Sequence, residues 1–260
     1  VGKGANSVST NTVLGVSALD ASVTGSHNVA IGHSALTTCT SGDSNVAVGR
    51  NALLDLTEGT HNQGIGNNAG ESITTGSFNA FIGTNSGAAL TTGSNNIGIS
   101  YNSLQKTTTG GNNIGIGYEA LQENTTGGFN VAVGSTALDA NTTGGNNVGM
   151  GYAALGANTT ASENTAIGFA SLDANTTGAR NTAVGNSTLG TSSTASDNTA
   201  IGNAALNQNS TGANNTAVGG YALDANTTAS NNTAVGYASL TENTTGPKNV
   251  AVGNYSLDAN

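Results

Sequence analysis

The chain has 260 residues and a formal net charge of −9, with 14 acidic and 5 basic residues, and 39 positions are glycine. Charged residues make up 7% and aromatic residues 4%, too little of either for an ordinary globular domain. So few bases exclude the clustered lysine and arginine that nucleic-acid binding requires, and no apolar run is long enough to insert into a membrane.

A repeat of 17 residues runs through the whole chain. Its anchor glycine follows an aliphatic residue and falls at Gly15, Gly32, Gly49, Gly66, Gly83, Gly117, Gly134, Gly151, Gly168, Gly185, Gly202, Gly219, Gly236 and Gly253, with Ser100 in the same register. Repeats without insertions form solenoids in which each coil contacts its neighbours, and this repeat is too short for a helix pair or a propeller blade. The sequence therefore predicts a mainly β fold, a parallel β-solenoid of about fifteen coils that forms one domain over residues 1–260.

The two ends of the chain interrupt the repeat. Val1 lies before the first full unit, the last unit is still incomplete at Asn260, and no signal peptide opens the chain. We therefore expect a segment of a longer fibre. Cys39 is the single cysteine, so a disulfide within this chain is excluded.

The repeat begins with a corner asparagine, four residues before the anchor in every coil. Examples are Asn28, Asn45, Asn130, Asn147, Asn181 and Asn232. A side-chain amide at a corner can satisfy backbone groups, and a binding site rarely needs a copy in every coil. The pattern predicts a structural ladder.

The strand triplet follows, between the corner asparagine and the anchor, and is rich in Val, Ile and Thr. Its last residue is always aliphatic, so we expect that residue to face the interior and the middle residue to face outward. The middle residue is nearly always Ala or Gly, with Phe81 as an exception. Because so thin a core usually needs oligomerisation, the small residues predict a contact between copies of the chain, most simply a parallel homotrimer. This predicted interchain face comprises Ala30, Ala47, Gly115, Ala132, Ala183 and Ala217.

Four residues after the anchor, most coils carry a core leucine, such as Leu138 and Leu172. Two coils have glycine there, Gly70 and Gly87, and gain Ile73 and Leu90 three residues later. This exchange keeps the core volume nearly constant, so both positions are expected to face the interior. The segment around the core leucine fits either a second strand or a short helical turn.

Seven residues after the anchor, Asn-Thr-Thr recurs in the later coils and matches the N-glycosylation pattern. The alternative is an internal amide ladder, with Asn141 and Asn175 among its members. The ladder is favoured because Cys39 and Leu56 hold the same position in earlier coils. The turn glycine that ends this segment, as at Gly110, Gly127, Gly144 and Gly178, is expected to supply a positive φ.

The sequence contains no recognisable catalytic or ligand-binding motif. It contains no phosphate-binding loop, no zinc spacing and no nucleophile–base arrangement. We expect no catalytic residue, no cofactor and no metal site, and hence no enzyme. Tyr101, Tyr118, Tyr152 and Phe169 directly follow their anchors; a stiffening aromatic ladder is favoured over a carbohydrate-contacting stripe.

The segments Asn28-Val-Ala-Ile-Gly-His-Ser-Ala and Asn130-Val-Ala-Val-Gly-Ser-Thr-Ala resemble the head repeats of trimeric autotransporter adhesins. Similar repeats occur in phage tail fibres and in fibre-like proteins with a self-cleaving chaperone domain. The resemblance implies a left-handed parallel β-roll, three chains side by side and a role in attachment. The repeat of this chain is longer than that of the adhesin heads, so its coil needs an extended corner.

These observations favour a structural fibre or adhesin segment, a homo-oligomeric rod that attaches to a cell or surface. Its expected location is extracellular, at a cell surface or on a virion, and its expected partners are its own copies and a host-surface glycan or protein. The alternatives are a self-assembling extracellular filament or surface layer and an ice-binding solenoid with a Thr-Thr array. The last is disfavoured because adjacent threonines on a strand point in opposite directions.

Overall fold

The computed structural model describes residues 2–4 and 7–258. Val1 and Asn260, on which the expectation of a longer fibre rests, lie outside the described residues. The chain divides into two compact units, Val1–Phe129 and Asn130–Asn260. Each unit is a parallel β-solenoid with one three-residue strand per coil, which confirms the predicted fold class.

The strands coincide with the predicted strand triplets. In the first unit they are β1 Thr12–Leu14, β2 Val29–Ile31, β3 Val46–Val48, β4 Gln63–Ile65, β5 Ala80–Ile82, β6 Ile97–Ile99 and β7 Ile114–Ile116. In the second they are β8 Val131–Val133, β9 Val148–Met150, β10 Thr165–Ile167, β11 Thr182–Val184, β12 Thr199–Ile201, β13 Thr216–Val218, β14 Thr233–Val235 and β15 Val250–Val252. Within each unit, consecutive strands pair in parallel, each residue opposite its equivalent in the next repeat.

The segment around the core leucine is neither a second strand nor a helical turn, because the described residues there form turns. The core leucine itself adopts a left-handed conformation, with φ of 53° at both Leu138 and Leu172. A non-glycine residue in this region costs about 1–2 kcal/mol. Coil-to-coil bonding opposes that cost, since the Leu138 N–H donates to the Ala154 carbonyl of the next coil at 3.0 Å.

The turn glycine does not supply a positive φ, so that prediction is wrong for Gly110, Gly127, Gly144 and Gly178. The left-handed residue of this corner comes two residues later, for example at Asn146, where φ is 58°. The reason for glycine is space: a Cβ at Gly144 would overlap the carbonyl oxygen of Ala161 in the next coil. The turn glycine therefore permits close stacking of the coils.

The anchor position requires glycine for two reasons, a positive φ and a lack of space for a Cβ. Gly134 has a φ of 139°, and a Cβ on it would overlap the backbone of Gly151 in the next coil. Ser100 adopts the same backbone region, with φ of 109°. Its side chain sits where the other coils leave room for a hydrogen atom only.

The strand triplet faces in the direction opposite to the prediction. Its middle residue is buried, including the whole set predicted as an interchain face: Ala30, Ala47, Gly115, Ala132, Ala183 and Ala217. The physical reason is the core leucine behind the strand. A Cβ at Gly64 would lie 2.8 Å from the Leu53 Cγ, so the interior there has space only for a hydrogen atom, and most other coils accept nothing larger than the methyl group of alanine. Small residues there reflect a crowded core and no contact with another chain.

Phe81 occupies this middle position, is fully buried, and takes the volume that two core leucines would fill. A Cβ at Gly87 would overlap its ring, and one at Gly70 would lie 3.2 Å from its Cδ2. On the next strand, a Cβ at Gly98 would lie 2.8 Å from the Phe81 Cδ1. Buried Leu90 completes the exchange that the sequence indicated.

Candidate functional site

The corner asparagines form a buried ladder that ties each coil to the next. The Asn181 N–H and Nδ2 donate to the Asn164 Oδ1 at 2.9 and 3.2 Å, and the Asn181 Oδ1 accepts the Asn198 N–H at 3.1 Å. Its Nδ2 also donates to the Ala195 carbonyl at 2.8 Å, fourteen residues along the same coil. The predicted members Asn28, Asn45, Asn130, Asn147, Asn181 and Asn232 all take part.

A second ladder runs through the Asn-Thr-Thr segments. Asn158 donates to the Asn141 Oδ1 at 2.9 Å, Asn175 donates to the Asn158 Oδ1 at 3.0 Å, and all three side chains are fully buried. Leu138 and Leu172 lie buried in the same interior. These amides are inaccessible to a glycan in the folded chain. Ser192 interrupts the ladder, and its hydroxyl is buried without a hydrogen-bond partner.

The threonine after each ladder position also forms a hydrogen bond between neighbouring coils. The hydroxyls of Thr57, Thr159 and Thr227 donate to the carbonyl of the equivalent residue in the next coil, each at 3.1 Å. Because that bond satisfies the hydroxyl donor, the Thr-Thr segments do not present two equivalent rows of hydroxyls to solvent.

The most extended surface feature in each unit is an outward sheet face, formed by the first and last residues of the strand triplets. Ile167 and Ile201 expose 39% and 41% of their area, although the sequence pattern predicts an interior location. None of the charged residues lies at these two positions in any strand. In the second unit, the first position is threonine in five successive strands, from Thr165 to Thr233.

The amino-acid types at the first position of the strand triplets indicate that this face is exposed. That position accepts Thr and Gln63 as well as Val and Ile, a mixture typical of an exposed position, whereas the middle position is restricted to small residues in nearly every coil. Comparing the two positions, rather than ranking them by hydrophobicity, gives the observed orientation.

Aromatic side chains line the position after the anchor. Tyr101 stacks on Tyr118 with ring centroids 5.6 Å apart, and Tyr152 stacks on Phe169 at 5.3 Å. Each pair joins consecutive coils, as a stiffening ladder requires. The rings remain about half exposed, so they are also available to a ligand.

Titratable groups are sparse in the sequence, and the shifts of their pKa values among the described residues have local structural causes. Burial raises the pKa of the Cys39 thiol to about 11, which keeps it protonated and unreactive at neutral pH. Hydrogen bonds led by the Ser26 hydroxyl lower the pKa of Asp43 to about 2. The exposed ion pairs Lys106–Glu123 and Arg180–Asp197, each 2.7 Å, join adjacent coils.

Within the described part of the chain, no group of three or more His, Cys, Asp or Glu side chains is placed to hold a metal ion. The same residues include no helix long and apolar enough to cross a membrane. No protein-family model, curated protein or solved structure matches this chain.

Proposed function

We propose that the chain is a structural attachment segment of an extracellular fibre or adhesin, on a cell surface or a virion, and that its copies associate side by side through the outward sheet face. The observation that carries the proposal is the uninterrupted, uncharged and partly apolar character of that face in both units. The largest exposed apolar patch on a soluble protein is often a functional surface.

The face is a narrow band that runs across the strands. Strands about 4.8 Å apart, with two outward side chains about 6.6 Å apart on each, give eight strands a face of at least roughly 250 Å². Half-exposed Ile167, Ile201 and Val235 lie on this face in the second unit. Covering them would remove apolar area from water at about 25 cal/mol per Å².

The same geometry favours a structural role over a catalytic one. The repeated asparagine, glycine and leucine positions are each explained by coil stacking or core volume. The resemblance to adhesin head repeats supports a trimer and a role in attachment, and the self-associating face replaces the buried alanine row as the proposed contact.

Sedimentation velocity of the whole chain tests the association. We expect a discrete homo-oligomer, with three copies as the favoured number. In the Ile167→Lys/Ile201→Lys variant, burying two ammonium groups opposes association, so monomers with an unchanged β-type circular dichroism spectrum are expected. Asn146→Lys/Asn214→Lys is the matched control, because both asparagines are exposed and the equivalent position carries Lys248.

A wild-type chain that sediments as a monomer at every concentration would overturn the proposal. Oligomers that grow without limit as concentration rises would instead favour a self-assembling filament. An Asn146→Lys/Asn214→Lys control that dissociates like the Ile167→Lys/Ile201→Lys variant would show that the charge change, and not the outward sheet face, controls association.

A further inference from the structure

We propose that the second unit binds a quaternary ammonium group in a surface pocket that combines tyrosine rings with carboxylates. This cation pocket has a volume of about 280 Å³ and is lined by Ala238, Thr241, Glu242, Tyr255 and Asp258. Its size is close to the lower limit of ligand sites, about 300 Å³. None of its lining residues belongs to the outward sheet face, so the pocket goes beyond the proposed association and does not depend on it.

Two tyrosines stand on either side of the pocket floor, which is Ala238. Tyr221, Ala238 and Tyr255 each lie two residues after their anchors, in three successive repeats, and no other repeat has an aromatic residue at this position. With neighbouring coils about 4.8 Å apart, the two tyrosine positions are roughly 10 Å apart. Ala238 exposes only 8% of its area, whereas alanines at the same position in other coils are half-buried: Ala153, Ala170 and Ala204.

Tyr237 holds the two rings by their edges or faces without stacking on either. Its ring centroid lies 5.9 Å from that of Tyr221 and 5.5 Å from that of Tyr255, at interplanar angles of 81° and 73°. An edge-to-face contact covers a face of one ring only, so ring faces stay available to a ligand. The electron-rich face of a tyrosine attracts a cation within about 6 Å of the ring centroid.

Three carboxylates lie along one side of the same three coils. Asp224 and Asp258 share one repeat position, in the coils of Tyr221 and Tyr255, and Glu242 lies in the coil between them. None of the ion pairs between described residues includes these three acids. The negative charge beside the pocket is therefore not neutralised by a basic side chain, and it attracts a cation.

One oxygen atom in this acidic row lacks a partner. The Asp224 Oδ1 is buried and accepts no hydrogen bond. Burial, together with the negative charge of Glu242, raises the pKa of Asp224. A cation bound beside Glu242 would reduce this repulsion, so the arrangement has unmet capacity for a positive charge.

The lining of the pocket favours a quaternary ammonium group over other cations. A metal ion needs several oxygen ligands close around it, and the described residues include no group of three or more His, Cys, Asp or Glu side chains placed to provide them. A primary ammonium is strongly hydrated and loses that hydration against aromatic rings. The methyl groups of a quaternary ammonium need no hydrogen bonds, so they can pack against Tyr255 and Ala238 while the carboxylates balance the charge.

Isothermal titration calorimetry of the whole chain with choline chloride tests the cation pocket. Dimethylbutanol, the uncharged carbon isostere of choline, and calcium chloride are the comparisons. We expect choline to bind more tightly than either, because only choline combines the charge with the methyl surface. Cosedimentation with phosphatidylcholine vesicles then distinguishes the two sources of this group, since a headgroup on a surface would retain the protein and a free ligand would not.

Removing the rings should weaken choline binding. Tyr221→Leu/Tyr255→Leu should bind choline about tenfold more weakly, a loss of about 1.4 kcal/mol that two cation–π contacts account for. Tyr101→Leu/Tyr118→Leu is the matched control, because it removes two half-exposed tyrosines from the first unit. Its choline affinity should equal that of the wild type.

Removing one charge provides an independent test that does not disturb the rings. Glu242→Gln should lower the affinity at least about threefold, whereas Glu163→Gln, at another exposed acid of the second unit, should not. The thermal midpoint by circular dichroism should stay unchanged in all four variants. The pocket is overturned if the wild type does not bind choline, if dimethylbutanol or calcium binds as tightly, or if Glu242→Gln and the Tyr221→Leu/Tyr255→Leu variant keep the wild-type affinity.

Discussion

At the scale of single residues, substitutions in this interior are balanced between coils as well as within one. Phe81 on β5 fills space that leucine side chains at the positions of Gly70 and Gly87 would occupy. Gly87 has a φ of 60°, close to the 53° of Leu138, so the backbone there already has the conformation of a core leucine. The two arrangements are thus interchangeable solutions to one packing problem.

Phe81→Ala alone should lower the free energy of unfolding by about 3–5 kcal/mol, because it leaves a cavity in a close-packed core. Adding Gly70→Leu and Gly87→Leu should restore most of that loss, as in the coil that combines Leu53, Leu56 and Ala47. Urea denaturation of the single and triple variants measures both effects. Equal stability of the two variants would contradict the shared-volume explanation.

The anchor position makes a second residue-scale prediction. Ser100→Gly should raise the free energy of unfolding by about 1 kcal/mol, since it removes a side chain from a left-handed residue. Gly49→Ser should do the reverse and cost more, because its Cβ would also overlap the Gly66 carbonyl oxygen. Chemical denaturation of this matched pair should show opposite signs. A destabilised Ser100→Gly would mean that the serine has a favourable contact that outweighs its backbone cost.

At the scale of one coil, the corner asparagine acts as a clasp. Its side-chain Nδ2 donates to the backbone carbonyl fourteen residues later in its own coil. Its side-chain Oδ1 accepts a hydrogen bond from the backbone N–H of the corner asparagine in the next coil. A short strand has few hydrogen bonds of its own, so the clasp fixes the path of the connecting turns. Coil closure and coil stacking therefore depend on one side chain.

Asn181→Ala should lower the free energy of unfolding by on the order of 3 kcal/mol, because it leaves the buried Ala195 carbonyl and Asn198 N–H without their partner. Asn67→Ala is the control, since Asn67 is exposed and outside the ladder. Hydrogen exchange should localise the loss to the amides of the coils next to Asn181. A uniform loss across the second unit would contradict a local clasp.

At the scale of the whole molecule, the repeat allowed the coil number, the strand positions, the buried asparagine ladders and the compensated glycine–leucine exchange to be predicted. Hydrophobicity could not predict which residue of the strand triplet points to the core. Left-handed backbone at the core leucine directs Leu53 toward the strand from inside, which leaves room for Gly64 and displaces the larger Ile65 to the surface. Three left-handed positions in nearly every coil give little local sequence signal, because Leu, Ser and Asn all occupy them.

The constant register leads to a prediction for the entire chain. Deleting residues 199–215 removes one repeat and joins Asn198 to Thr216, so every remaining side chain keeps an equivalent neighbour. The shortened chain should retain its β spectrum and a thermal midpoint close to that of the wild type. Deleting 199–214 instead shifts the following residues by one place, and the midpoint should fall. Similar behaviour of the two deletions would contradict strict registry.

The number of coils is independent of the residues that each coil contains. Each coil carries its own clasp, its own core leucine and its own pair of outward residues, so no distant part of the chain dictates how many coils there are. Adding or removing a whole repeat would leave every remaining coil-to-coil interface intact. The number of coils can therefore change without altering the chemistry of the surface that each coil presents.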